Sequence, residues 1–280
     1  MLSLSPIIDT VDFVFLACIG RIRDDLLRNK LASITNDIIR HDADYAAAGR
    51  ATSFYKLRSH TLVGGIVTKD ELISVYDNQM VPQESRGRVF YDKIMALANQ
   101  RRCPLCAQGT VKTLDHYLPK THFPGLAVCP SNLLPACSDC NKLKLAAAPT
   151  CASKQTLNPY YDKVDGVTWL QAKFKNRTPV VVEFYVKKPN EWSKMTAMRV
   201  RHHFKVFNLA QVYSCAAAVE LEDIKEYLTN LLNKGGASDV KKHLRDQAAS
   251  RTVARKNSCG AALYRALAAS SWFCRHGCRG

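Results

Sequence analysis

Between residues 8 and 50, apolar side chains return every three to five positions: Phe15, Ile19, Ile22 and Leu26, then Leu31, Ile34 and Ile38, with charges between them. That spacing predicts amphipathic helix with its apolar stripe turned to a core. Gly64-Gly65 interrupts the pattern. Thr68 followed by Glu71 then has the form of a capping box, opening a helix from Lys69 to about Gln79. A polar linker covers 82–87, and a short helix is expected over 90–98. The period next shortens: 111–117 and 126–133 read as strands, and 137–145 as a helix. Pro119, Pro124, Gly125, Pro130 and Pro135 keep those strands short. Beyond the aromatic turn 156–161, residues 180–186 form the strongest β run. Residues 199–232 return to helix, and Gly235-Gly236 separates them from a basic helix near 240–256 and a last helical stretch over 259–272. The whole predicts an α+β chain, mostly helical, in three parts: a helical region 1–98, a central module 99–150, and a mixed region 151–280 of strands then helices.

Charge adds a partner to this picture. The chain has 280 residues, 40 Lys+Arg against 24 Asp+Glu, and a net charge of +16. Such an excess favours a polyanion, because neutralising phosphates releases counterions. No apolar run approaches the ~20 residues of a membrane span. The run 13–19 is short and is followed at once by Arg21, Arg23, Asp24 and Asp25, so neither membrane attachment nor export is expected. A cytoplasmic, reducing compartment follows, in which paired cysteines bind metal rather than each other.

The eleven cysteines include two C-x-x-C pairs, Cys103-Pro-Leu-Cys106 and Cys137-Ser-Asp-Cys140. Two such knuckles across a spacer form the ligand set of a structural zinc site. The other seven, Cys18, Cys129, Cys151, Cys215, Cys259, Cys274 and Cys278, read as small core residues or idle thiols. Between the knuckles lies Asp115-His116 at the end of a predicted strand, then Asn132, with Asn141 directly after the last knuckle cysteine. Neighbouring strand residues face opposite ways, so both members of the pair can serve one site only if the strand ends there, as Leu118-Pro119 suggests. An imidazole can take a proton from water near neutral pH. A carboxylate and an amide oxygen suit a hard cation such as Mg²⁺.

These residues carry a family resemblance. L-D-H-Y-L-P-K, followed by N-L-L-P-A-C-S-D-C-N-K-L-K, resembles the HNH endonuclease motif in its zinc-knuckled form, over about 103–145. The resemblance implies a zinc-stapled ββα-metal module at the centre of the chain, hydrolysing phosphodiester bonds. It makes His116 the general base and Asp115 and Asn141 the ligands of one Mg- or Mn-type ion. Asn132 becomes the residue that holds the histidine in place. Many members carry histidine where this chain has Asn141, a departure that favours Mg²⁺ over a softer metal. The chain is similar to HNH proteins of antiphage and mobile-element systems, and a regulatory protein partner such as an ATPase stays open.

Lys120 and Lys144, and with less weight Lys142, are candidate phosphate contacts, DNA being favoured over RNA. His122 reads as a bystander in the loop. Two basic clusters, Arg199, Arg201, His202, His203 and Lys205, and Lys241, Lys242, Arg245, Arg251, Arg255 and Lys256, could each track a nucleic-acid backbone or be solvated helix faces. Cys274-Arg275-His276-Gly277-Cys278 has a metal-like spacing but no further ligand nearby. Two other classes remain open: a nucleic-acid-binding or assembly module with a silent site, and a nuclease held inactive until a partner releases it.

Overall fold

A computed structural model of the chain describes residues 1–277 and divides into two compact units, Met1–Lys163 and a second from Val164 onward. In the first, the predicted stripe resolves into three helices, α1 (Val11–Ile19), α2 (Asp25–Ala32) and α3 (Thr35–Arg50). Asp24 starts α2 by accepting from Leu27 N at 3.0 Å, an N-cap of the preferred type. Phe15, Ile19, Leu31, Ile34 and Ile38 are buried as the stripe predicts, but Leu26 is 84% exposed. The break before α2 resets the helical phase, which turns Leu31 inward and Leu26 out.

A two-rung ribbon, β1 (Leu62–Val63) and β2 (Val67–Thr68), turns through Gly64 and Gly65 at φ 59° and 73°, angles that glycine adopts without strain. It feeds α4 (Lys69–Gln79). The predicted box is formed: Thr68 Oγ1 accepts from Glu71 N, and Glu71 Oε2 accepts from Thr68 N at 2.8 Å. Glu71 also takes Lys30 Nζ at 2.7 Å, tying α4 to α2.

After α5 (Arg88–Ala96) come β3 (Thr113–His116) and β4 (Leu133–Ala136), paired antiparallel, with α6 (Ser138–Lys144) directly behind β4. The strand expected over 126–133 is therefore corrected: β4 begins only at Leu133. Pro124 and Pro130 each open a 3₁₀ turn instead, because a fixed φ and a missing N–H suit a turn start better than a ladder. Pro135 is tolerated inside β4 since each strand of a two-stranded sheet has an unpaired edge.

The aromatic turn packs into the first unit. Tyr160 donates to the Leu133 carbonyl at 2.8 Å, Tyr117 to that of Thr156 at 2.7 Å, and Asn158 Nδ2 to the Tyr45 hydroxyl at 3.0 Å. The Phe54 ring lies 4.8 Å from Tyr117 and 4.6 Å from Tyr45. Residues 151–163 thus fold with the helices and strands that precede them.

In the second unit, the hairpin β5 (Leu170–Phe174) and β6 (Val182–Val186) packs against α8 (Leu209–Ala254) and α9 (Cys259–Ala269), with α7 (Lys194–Val206) between β6 and α8 in sequence. The helix expected over 199–232 is split at Asn208, whose φ is 48°. Gly236, at φ 75° and ψ −174°, folds α8 back on itself. Glu220 then meets Arg251 at 2.9 Å, and the Tyr227 ring meets His243 at 4.7 Å. Among the described residues no helix is long and apolar enough to cross a membrane.

Candidate active site

The four knuckle cysteines converge. Cys103, Cys106, Cys137 and Cys140 are all buried, and their sulfurs lie within 4.8 Å of one another. Sulfurs on a tetrahedral zinc at ~2.3 Å would stand just under ~4 Å apart; Cys106 and Cys137 are at 3.9 Å. The first knuckle is a tight turn: Cys103 N donates to the Gly109 carbonyl at 2.7 Å, Ala107 N to that of Cys103 at 2.8 Å, and Ala107 sits at φ 59°. Gly109 N donates to Cys106 Sγ at 3.3 Å, and a Cβ on Gly109 would come within 2.8 Å of Cys137 Sγ, so glycine is required there. In the second knuckle Cys137 is the N-cap of α6 and its sulfur accepts from Cys140 N. Contact with the Cys103 thiol, assisted by Cys140, draws Cys137 down to about 7, toward the thiolate that a metal needs. This donor set fits a structural metal such as zinc.

One cleft, with about 340 Å³ of open space, brings together Asp115, His116, Lys120 and Asn141, with Tyr76 and Tyr91 in its wall. Asp115 and His116 can share it because β3 ends at His116. His116 is 8% exposed, and its Nε2 lies 2.8 Å from the Ala127 carbonyl oxygen. A carbonyl only accepts, so Nε2 carries the ring proton and Nδ1 keeps a free lone pair. Burial pushes the ring down to about 3, leaving it neutral, the form a base requires. The Tyr76 ring meets His116 edge-on at 4.4 Å and fixes its plane.

Asp115 is 4% exposed. Its Oδ1 receives Lys144 Nζ at 3.1 Å, and its Oδ2 is buried without a partner. Burial pushes this carboxyl up, and the Lys144 ammonium pulls it back. A carboxylate with one unpartnered oxygen and a neutral amide lining the same cleft are donor types that fit a hard divalent cation. Asn132, fully buried, clamps the backbone after His116: its Oδ1 accepts from Leu118 N at 2.8 Å, and its Nδ2 donates to Leu118 O at 2.9 Å and Leu126 O at 3.2 Å.

The expected phosphate contacts part ways. Lys120 lines the cleft, ion-paired to Asp77 and 4.6 Å over the Tyr76 ring. Lys144 is not on the surface: it is 5% exposed and donates to the His116 carbonyl as well as to Asp115. Lys142 is exposed, and so is His122, which does not line the cleft. Of the first basic cluster, Arg199 and His203 are buried and Arg201 and Lys205 exposed, the two faces of one helix at four-residue spacing. In the second, Arg251 is committed to Glu220 and lies over the Tyr264 ring, and Lys256 donates to Gly166 O, whereas Lys242 and Arg245 face solvent. Cys274 is buried beneath α9, donating to Leu267 O, and Cys278 lies outside the described residues. Tyr76 and the Ala127 carbonyl are the contributors that the sequence did not single out; neither has a motif of its own.

No protein-family model matches the chain, and no solved structure matches it. Over 176 residues, 61% of its length, it is 35% identical to Protein ea31 of Escherichia phage lambda, and it spans 58% of that protein.

Proposed function

We propose that the chain is a metal-dependent endonuclease of the HNH type, acting on phosphodiester bonds of DNA in preference to RNA. The observation that carries this reading is the cleft in which His116, tied through Nε2 to Ala127, stands beside the partnerless Oδ2 of Asp115. His116 takes the proton of an attacking water on Nδ1 while the water oxygen bonds to phosphorus and the P–O3′ bond breaks. The arriving phosphate anion favours the protonated imidazole and so strengthens a base that burial alone makes weak. Asp115 and Asn141 would hold a Mg- or Mn-type ion, which would supply Lewis acidity to offset charge on the leaving oxygen. Asn132 fixes the backbone beyond the histidine, and Lys120 offers its ammonium to a phosphate oxygen. Zinc on Cys103, Cys106, Cys137 and Cys140 ties the turn before β3 to the start of α6. The similarity to a phage protein supports a phage or mobile-element setting; an antiphage role and a cytoplasmic location belong to the proposal.

Purified protein should nick or linearise plasmid with Mg²⁺ or Mn²⁺, and lose that activity in EDTA and in His116→Ala. A folded wild type inert toward DNA and RNA across divalent ions refutes the stand-alone enzyme. The second reading, a nucleic-acid-binding or assembly module whose site is silent or gated by a partner such as an ATPase, draws on the Lys144–Asp115 pair, which neutralises the one carboxylate the chemistry needs. Activity that appears only beside the products of neighbouring genes would favour it.

A further inference from the structure

We infer that Lys144 is a resident counter-cation of Asp115, holding one carboxylate oxygen so that a divalent ion binds only weakly to the bare site. The inference rests on the ion site proposed above and concerns what controls it. Lys144 is the last residue of α6, and Leu145 behind it has φ 51° and ψ −148°, a backbone turn that stops the helix there. The ammonium is gripped from two sides, by Asp115 Oδ1 and by the His116 carbonyl, with 5% of the residue exposed. It is therefore a fixed part of the site, not a surface lysine that swings in.

Charge counting then gives the consequence. Among the described residues lining the cleft, Asp115 is the single carboxylate, and Asn141 is neutral. One carboxylate against one ammonium leaves no net negative charge for an incoming ion. A second ammonium, Lys120, lines the same cleft and is balanced by Asp77. Oδ2 has no partner but is itself buried, and a divalent cation that reaches it meets the Lys144 charge at the other oxygen of the same carboxylate, in a setting where screening is weak. A phosphate group entering the cleft supplies the missing negative charge, so ion and phosphodiester assist one another, and by reciprocity each is weaker alone. Lys144 is in this sense a positioning and tuning residue that acts through Asp115.

The test is Mn²⁺ affinity of the full, zinc-loaded chain, read from the EPR signal of free Mn²⁺, for wild type, K144M, K144Q and D115N. Removing the charge should tighten binding about tenfold or more, equivalent to about 1.4 kcal/mol, and D115N should abolish it. K144Q drops the charge while retaining an amide N–H donor on a side chain one bond shorter, and stands in for K144M should the latter fold poorly. A structural role for Lys144 cannot produce this result, because damage to the fold weakens binding. Equal or weaker affinity in a folded K144Q overturns the inference while leaving the ion site intact. Mn²⁺ binding that is absent from every form, or indifferent to D115N, overturns the ion site itself.

Discussion

Replacing Asn132 with alanine strips two buried backbone groups, the Leu118 N–H and carbonyl, of their partner, and leaves the Leu126 carbonyl with the Cys129 N–H alone. The amide oxygen serves Leu118 N–H at 2.8 Å, and the amide nitrogen serves the carbonyls of Leu118 at 2.9 Å and Leu126 at 3.2 Å. Asn132 and Leu118 are fully buried and Leu126 is 3% exposed, so water has no route to replace it. Each buried polar group left without a partner costs ~1–3 kcal/mol. For the two Leu118 groups the loss is about 2–6 kcal/mol, against ~5–15 kcal/mol for a typical domain. Urea unfolding of zinc-loaded protein, followed by tryptophan-independent far-UV circular dichroism, should report a destabilisation of that size in Asn132→Ala. Asn132→Asp keeps the acceptor for Leu118 N–H, loses both donors and buries a charge, and should be no milder. A cost below about 1 kcal/mol in the alanine variant would mean that the clamp does not hold the turn after His116, and the orienting role assigned to Asn132 would fall with it.

Two further outcomes follow from other parts of the first unit. Cys137→Ser should lower bound zinc from one per chain toward none, and should lower the melting temperature as chelation does, because three remaining thiolates cannot close the tetrahedron; full zinc with unchanged melting would refute a shared site. The stacked His41 and His60 rings, 4.4 Å apart, are both pushed down by burial, His41 to about 4, and His60 Nε2 accepts from Gly125 N. In the unfolded chain these rings titrate near ~6.5, so between about pH 6.5 and 4 the unfolded state binds more protons and stability falls as pH drops. His41→Phe should flatten the pH dependence of the urea midpoint across that window, and a slope identical to wild type would sink the assignment.

Local rules made much of the first unit legible. The Thr68–Glu71 box, the apolar stripe through Phe15, Ile34 and Ile38, and the two knuckles all depend on residues close in sequence or on a fixed ligand number, and all are present. The strand over 126–133 was misplaced because its apolar content outweighed Pro124 and Pro130, whose ring geometry starts turns. Leu126 and Val128 are buried all the same, one through a 3₁₀ turn and the other beyond it. Burial alone therefore does not distinguish a strand from a packed loop.

What escaped the sequence at the candidate site has a common cause: each missing part reaches His116 or Asp115 from a segment with its own local logic. Tyr76 sits in α4 as one of that helix's buried residues, and nothing near it in sequence says that its ring will meet His116. The Ala127 carbonyl is a backbone atom and has no residue signature. Lys144 is the sharpest instance. In sequence it follows Lys142 by two positions and reads as a candidate phosphate contact. On α6 those two positions lie about 200° apart, at ~100° per residue, so exposing Lys142 turns Lys144 toward β3. There it finds the one nearby carboxylate, and pairing is the only inexpensive way to bury its charge. The same ammonium that the sequence offers to a phosphate is thereby committed to Asp115. Any phosphate that enters must act on a site whose charge is already balanced, which is why ion affinity in Lys144→Gln discriminates more sharply than any loss of activity.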